Sequence, residues 1–312
     1  MWRRWIWNGK QWLFDWGVRQ QRRWAGLRPR RRRLEQGELS WLERAAPLGA
    51  PVLVLLHGFG AEKDHWALLA RCLPKSFRLI VPDLPGHGDS MSGLDISYRV
   101  EAQADRLRAF LAVWGAERVH LIGNSMGGAI AANFAARYPQ AVSSLTLLNA
   151  AGAGVSASEM AELWQRSGEN PMLDMTSVDG VRAMLDWAMY RPPRVPGFAI
   201  EVAAARKAER VEVERKIFDD LFDSVDQRPL LANIQAPTLI IWGREDRILH
   251  VEDADCFAAA IAGSEKQVLE QVGHLPMMEQ PRRVAALWLE FAGRRALPAG
   301  QDEALAAAAT GR

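Results

Sequence analysis

The chain has 312 residues, about half of them apolar and a quarter charged, a globular composition that excludes a disordered, collagenous or low-complexity protein. Its two cysteines, Cys72 and Cys256, stand far apart with no metal-ligand spacing, which excludes a disulfide-dense secreted scaffold and a cysteine-bound structural zinc. The net charge of +2 hides an asymmetry: residues 1–33 hold eleven Arg and Lys against Asp15 alone, a net of +10, leaving −8 for the rest.

That basic segment, residues 1–33, also holds Trp2, Trp5, Trp7, Trp12, Trp16 and Trp24, six of the thirteen tryptophans. At 100° per residue, Trp2, Trp5, Ile6, Trp12, Leu13, Trp16 and Trp24 share one helical face, while Trp7, Phe14 and Val18 gather on another. Arg3, Arg4, Lys10, Arg19 and Arg22 lie off the centre of the tryptophan face. Indole rings favour the headgroup level and cations meet anionic lipid, so this arm, extended by Arg30–Arg33, reads as a membrane-interface anchor. Polar residues interrupt its apolar stretches too often for a secretory signal, and no run in the chain reaches the ~18 apolar residues of a membrane span. The expectation is peripheral attachment on the cytoplasmic face of a membrane. The acidic remainder disfavours nucleic acid as a partner, since a binding body is usually basic as well.

From Arg33 to Ala46 the pattern predicts a hairpin turning at Gly37-Glu38. Short, unbroken apolar runs then recur at Val52–Leu56, Leu79–Val81, Val119–Ile122, Leu145–Leu148 and Thr238–Trp242. Runs of this kind are strands buried on both faces, as in a parallel sheet. Helical spacing separates them, with Leu107, Phe110, Leu111 and Trp114 on one segment and Ile130, Phe134 and Tyr138 on another. The fold class is therefore α/β, a mostly parallel, doubly wound sheet covered by helices. Alternation stops over residues 151–233, which hold helical patches, a Pro-rich stretch and five of the ten methionines. They read as a helical cap inserted between two strands of a core spanning 34–150 and 234–293. A last strand-like run covers Gln267–Val272, and residues 294–312 read as a flexible tail.

Gly123-Asn124-Ser125-Met126-Gly127-Gly128 follows one predicted strand and opens a helix at 126–137. In that context G-x-S-x-G is a turn that lifts a serine hydroxyl clear of the sheet, with a helix N-terminus behind it. Side chains at 123 and 127 would collide with the neighbouring strand and helix. A serine needs a base to take its proton. His274, in Val272-Gly273-His274-Leu275-Pro276, is the candidate base. Asp246, just beyond the strand 238–242, is the candidate for orienting the imidazole, with Glu245 as its neighbour and rival. The amides of Met126 and of Phe59, in His57-Gly58-Phe59-Gly60, are candidates for an oxyanion hole. His57 reads as a brace for that loop.

Together with Asp83-Leu84-Pro85-Gly86-His87-Gly88-Asp89-Ser90, these motifs resemble the α/β-hydrolase superfamily in order and spacing, over roughly residues 50–150 and 235–292. The likeness implies the α/β-hydrolase fold, and a structural role for the turn carrying Asp83, His87 and Asp89. Within the superfamily, Gly58–Trp66 and Ile241–Leu249 are most similar to membrane-associated monoacylglycerol lipases and related bacterial lipases and esterases. The animal members have a membrane-spanning N-terminal helix, and this chain departs from them there. The resemblance implies a serine hydrolase that cleaves lipid-type esters, with no metal or organic cofactor. A C–C hydrolase of aromatic meta-cleavage products is the alternative, though those enzymes place Trp after the histidine where this chain has Leu275. A non-catalytic scaffold on the same fold is a third reading. Within the cap, Met160, Trp164, Met184 and Trp187 are candidates for an adaptable apolar wall that favours longer acyl chains over acetate.

Overall fold

The computed structural model describes residues 2–35, 37–154 and 156–295, with side chains from residue 5 onward. Residues 296–312, most of the expected tail, and the Trp2, Arg3 and Arg4 side chains of the expected arm lie outside that description.

Eight strands form one sheet: β1 (Arg28–Leu34), β2 (Gly37–Arg44), β3 (Val52–Leu56), β4 (Arg78–Pro82), β5 (Val119–Ser125), β6 (Val142–Ala150), β7 (Thr238–Gly243) and β8 (Glu265–Leu269). Their spatial order is β1-β2-β4-β3-β5-β6-β7-β8. The first two pairings are antiparallel and all the others parallel. The helices are α1 (Trp2–Trp24), α2 (Ala67–Cys72), α3 (Val100–Val113), α4 (Met126–Arg137), α5 (Glu159–Ser167), α6 (Val178–Ala188), α7 (Gly197–Ala208), α8 (Val211–Phe222), α9 (Arg228–Leu231), α10 (Asp253–Ala260), α11 (Pro276–Glu279) and α12 (Pro281–Arg295).

The unbroken apolar runs explain why the sheet is covered twice. Successive side chains of a strand point to opposite faces. Val54, Leu56, Ile80, Leu121, Leu147 and Ile240 therefore enter one core, with α3, α4 and α10. Leu53, Leu55, Leu79, Ile122, Leu148 and Ile241 enter the other, where Trp66 and, on α12, Trp288 are fully buried. Among the described residues, the elements between β6 and β7 are all helices, α5 to α9.

Four boundaries differ from the sequence reading, one being the tail, whose first two residues, Arg294 and Arg295, close α12. Residues 28–33 belong to the sheet rather than to an arm: β1 is its outermost strand, its arginines exposed. A strand that displays charge to water on an edge has no apolar run to betray it. The hairpin closes on the pair Leu34 and Gly37, which puts Gly37 in β2 instead of in the turn. Gly37 has φ +131°, and a Cβ there would lie 2.7 Å from Met91 Sδ, so the glycine answers to packing. The last strand runs Glu265–Leu269 rather than 267–272, because Val272 already accepts from Glu245 N in the loop that follows.

Candidate active site

β5 passes into α4 with no intervening residue, and Ser125 takes the turn at φ 55° and ψ −122°. A positive φ is costly for a residue with a side chain and persists only where the surroundings enforce it. Here they do. A Cβ on Gly123 would sit 2.2 Å from Gly127 O, and one on Gly127 would sit 2.3 Å from Leu56 O of β3. Ser125 is half-buried at the head of α4, which is buried from Met126 to Ala136 and whose first amides point toward it.

The loop after β7 carries Asp246, and the loop after β8 carries His274. His274 Nδ1 lies 2.8 Å from Asp246 Oδ2, with both residues buried. Asp246 Oδ2 also accepts from Asn149 Nδ2 at 2.6 Å, and Oδ1 accepts from the amides of Ile248 at 2.8 Å and Leu249 at 3.1 Å. Four donors hold the carboxylate and fix its direction. With His274 donating through Nδ1, Nε2 is left as the basic nitrogen. Glu245 faces elsewhere, accepting from Val272 N at 2.9 Å. Asn124, next to the serine, donates to Leu148 O and to His274 O, each at 3.0 Å. That side chain ties the serine turn to the histidine loop. Within the described residues Ser125 Oγ makes no hydrogen bond, and such bonds commonly tighten only when substrate arrives.

The third piece follows β3. A Cβ on Gly58 would lie 3.0 Å from Ser125 Cβ, so the His57–Gly60 loop runs against the serine. His57 Nδ1 donates to Gly58 O at 2.9 Å and Nε2 accepts from Leu84 N at 3.0 Å. Burial pushes this imidazole down to about 3, so it is neutral and braces the loop. His87, also held neutral by burial, accepts from Gly60 N at 3.3 Å. Beneath it, Lys63 pairs with buried Asp83 and with Asp89 at 3.0 Å. The amides of Phe59 and Met126 have no hydrogen-bond partner within the described residues. Two free donors therefore flank the serine.

The four cap residues chosen from sequence do not form one wall. Met160 is buried with Ala188, Met189 and Ile248, and Met184 packs on that cluster beside Leu249 and Leu275, which adjoin the Asp246 and His274 loops. Trp164 stands edge-on to Phe218 (5.4 Å) and Phe222 (5.3 Å), and Phe218 in turn meets Phe59 at 5.8 Å. Trp187 packs on the Met160 cluster as well, under the Arg247 guanidinium at 4.0 Å, so Trp164 is the one that stands apart. A cleft of about 500 Å³ opens beside Asp246 between Glu159, Glu162, Asp186 and Arg247. None of the four lines it, and neither does Ser125. Asn149 was not legible as a partner of Asp246; the one hint is an asparagine ending a buried strand, and its φ of 42° is one that Asn tolerates.

A family model described as the alpha/beta hydrolase fold matches residues 51–215. Lipase 1 of Psychrobacter immobilis is 37% identical over 249 residues, covering 78% of this chain and 76% of its own length. The monoacylglycerol lipase ABHD6 of Bos taurus is 33% identical over 282 residues, covering 86% of this chain and 83% of its own. Among solved structures, one described as a membrane phospholipase A and bacterial virulence factor superposes with a TM-score of 0.86 at 34% identity, covering 90% of this chain and 91% of that one.

Proposed function

Because the chain belongs to the alpha/beta hydrolase family, we propose that it cleaves carboxylic esters of lipids, monoacylglycerol foremost, through an acyl-enzyme on Ser125. Its relatives named as lipases and monoacylglycerol lipases support the lipid ester as substrate class. The observation that carries the residue assignment is the pair of unpartnered amides, Phe59 and Met126, on either side of a serine held in a strained turn.

Ser125 Oγ attacks the acyl carbon while His274 Nε2 takes its proton. Asp246, held by its other donors, stabilises the imidazolium and keeps Nδ1–H pointed at itself. The carbonyl oxygen gains negative charge and turns to the two free amides, an arrangement in which one donor is worth on the order of 10²–10³ in rate. Collapse expels the alcohol, which takes the proton from Nε2. Water then attacks the acyl-enzyme with His274 as base, releasing the fatty acid and restoring the serine. Helices α5 to α8 form the lid over this site, with Met160, Met184, Leu249 and Leu275 on one side of the acyl path and Trp164, Phe218 and Phe59 on the other.

Membrane attachment is peripheral in this reading. Within the described residues no helix is long and apolar enough to cross a membrane. α1 instead displays Trp5, Ile6, Trp12, Leu13, Trp16 and Trp24 to solvent, with exposed Arg19 and Arg23 nearby. Apolar rings rimmed by cations suit an anionic lipid surface. The similar solved structure described as a membrane phospholipase supports this placement.

The direct test is labelling by a fluorophosphonate probe. Stoichiometric labelling of the wild type, abolished in Ser125→Ala together with a fall in kcat on the order of 10⁶, is expected. A Ser125→Ala protein that still turns over esters at the wild-type rate refutes the assignment.

A further inference from the structure

The loop carrying the Phe59 amide is gripped from the cap. Lys207, at the end of α7, donates from Nζ to Gly60 O at 2.6 Å and pairs with Glu214 of α8 at 2.6 Å. Both side chains are largely buried, 19% and 8% exposed. On the other side of the same residue, Gly60 N donates to His87 Nε2. Gly60 is thus held at its amide by the core and at its carbonyl by the cap. Three residues on, Arg210 reaches Gly86 O at 2.6 Å and Gly88 O at 2.9 Å, in the turn that holds His87.

We propose that Lys207 is a positioning residue for the oxyanion loop, fixing the direction of the Phe59 N–H through the Gly60 carbonyl. The inference rests on the reading of Phe59 as an oxyanion donor. Its physical ground is the loop's composition. Gly58 and Gly60 have no side chains to pack, and Gly60 sits at φ +66°, a conformation glycine reaches and leaves at little cost. The backbone bond that closes the turn, Ala61 N to Gly58 O, is long at 3.3 Å. An external tether is what holds such a turn still. A lysine suits the task because its ammonium carries several donors and serves Gly60 O and the Glu214 carboxylate at once. A charged donor also makes the bond to the carbonyl stronger than a neutral one would.

The test uses the full chain and a soluble p-nitrophenyl ester, with kcat, KM and fluorophosphonate labelling rate as readouts. Lys207→Met is combined with Glu214→Gln so that no carboxylate is stranded. A misplacement of about 1 Å costs roughly 10²-fold, so kcat and labelling rate are expected to fall about 10- to 100-fold with KM little changed. Lys207→Arg, which keeps a charged donor, is expected to regain most of the loss. If the double variant melts like wild type and keeps its kcat, or if only KM moves, or if the Arg variant is no better than Met, the proposal is overturned. Should the double variant not fold, Lys207→Arg and Lys207→Gln carry the test. A kcat falling in the order wild type, Arg, Gln supports positioning, and unchanged kcat in both refutes it. Loss of turnover in Ser125→Ala, measured alongside, separates failure of this proposal from failure of the catalytic reading.

Discussion

Asp246 accepts four hydrogen bonds, and only one comes from His274. Of the other three, two are backbone amides that its own loop supplies, and the third is the Asn149 side chain from the end of β6. Asn149 Oδ1 also accepts from Gly243 N at 3.1 Å and its Nδ2 reaches Gly273 O at 3.3 Å, so one amide group fastens the acid loop to the histidine loop. Asn149→Ala removes a bond to a charged acceptor, worth about 1.5–3 kcal/mol. A loss of kcat on the order of tenfold is expected, with labelling by fluorophosphonate slowed in parallel; unchanged rates show that the two amides suffice. Ser125, Asp246 and His274 were legible because each lies in a short motif whose local context, strand then turn, is itself readable. Asn149 and Lys207 were not. Their partners are 97 and 147 residues away along the chain, and no local pattern encodes a neighbour that only the sheet order creates.

α1 resolves an inconsistency in its own helical wheel. Trp7, Phe14 and Val18, which break the tryptophan face, are half-buried on the side that meets α7 and α2. Arg206 stacks on Phe14 at 4.9 Å and pairs with Asp15 at 2.7 Å, Lys10 pairs with Glu201, and Arg22 holds Asp64 through two bonds of 2.7 and 2.6 Å. The helix is two-sided, docked by one face and open on the other. The pattern could be read as two apolar faces, but which one the body takes depends on complementary charges in α7 that have no sequence signature. Replacing Trp12, Trp16 and Trp24 together by serine is expected to abolish sedimentation with anionic vesicles at low salt, where electrostatic attraction is least screened. Hydrolysis of a soluble ester is expected to stay at the wild-type rate. Vesicle binding that survives the triple change argues against the tryptophan face.

Across the molecule, the site collects at the C-terminal ends of the parallel strands, where the loops after β3, β5, β7 and β8 meet, as ligand sites in open α/β sheets generally do. The alternation of strand and helix made that much readable, because two-sided burial leaves unbroken apolar runs. What escaped was the sheet's far border. Within the sheet β1 pairs only with β2, its strand made of Arg28, Arg30, Arg31, Arg32 and Arg33 about Pro29, with Leu34 at its end. It nevertheless shields β2, whose last six residues are buried. This decides where the polypeptide tolerates scissors. α1 stops at a left-handed Gly26, and Ala25 and Leu27 are already packed inside. A protein starting at Ala25 sheds the tryptophan-bearing helix and keeps an arginine-guarded rim; on a sizing column it is expected to run as the intact protein does. One starting at Leu34 also loses the guard, leaving an uncovered ribbon of backbone that recruits its like, and it is expected to elute as larger species.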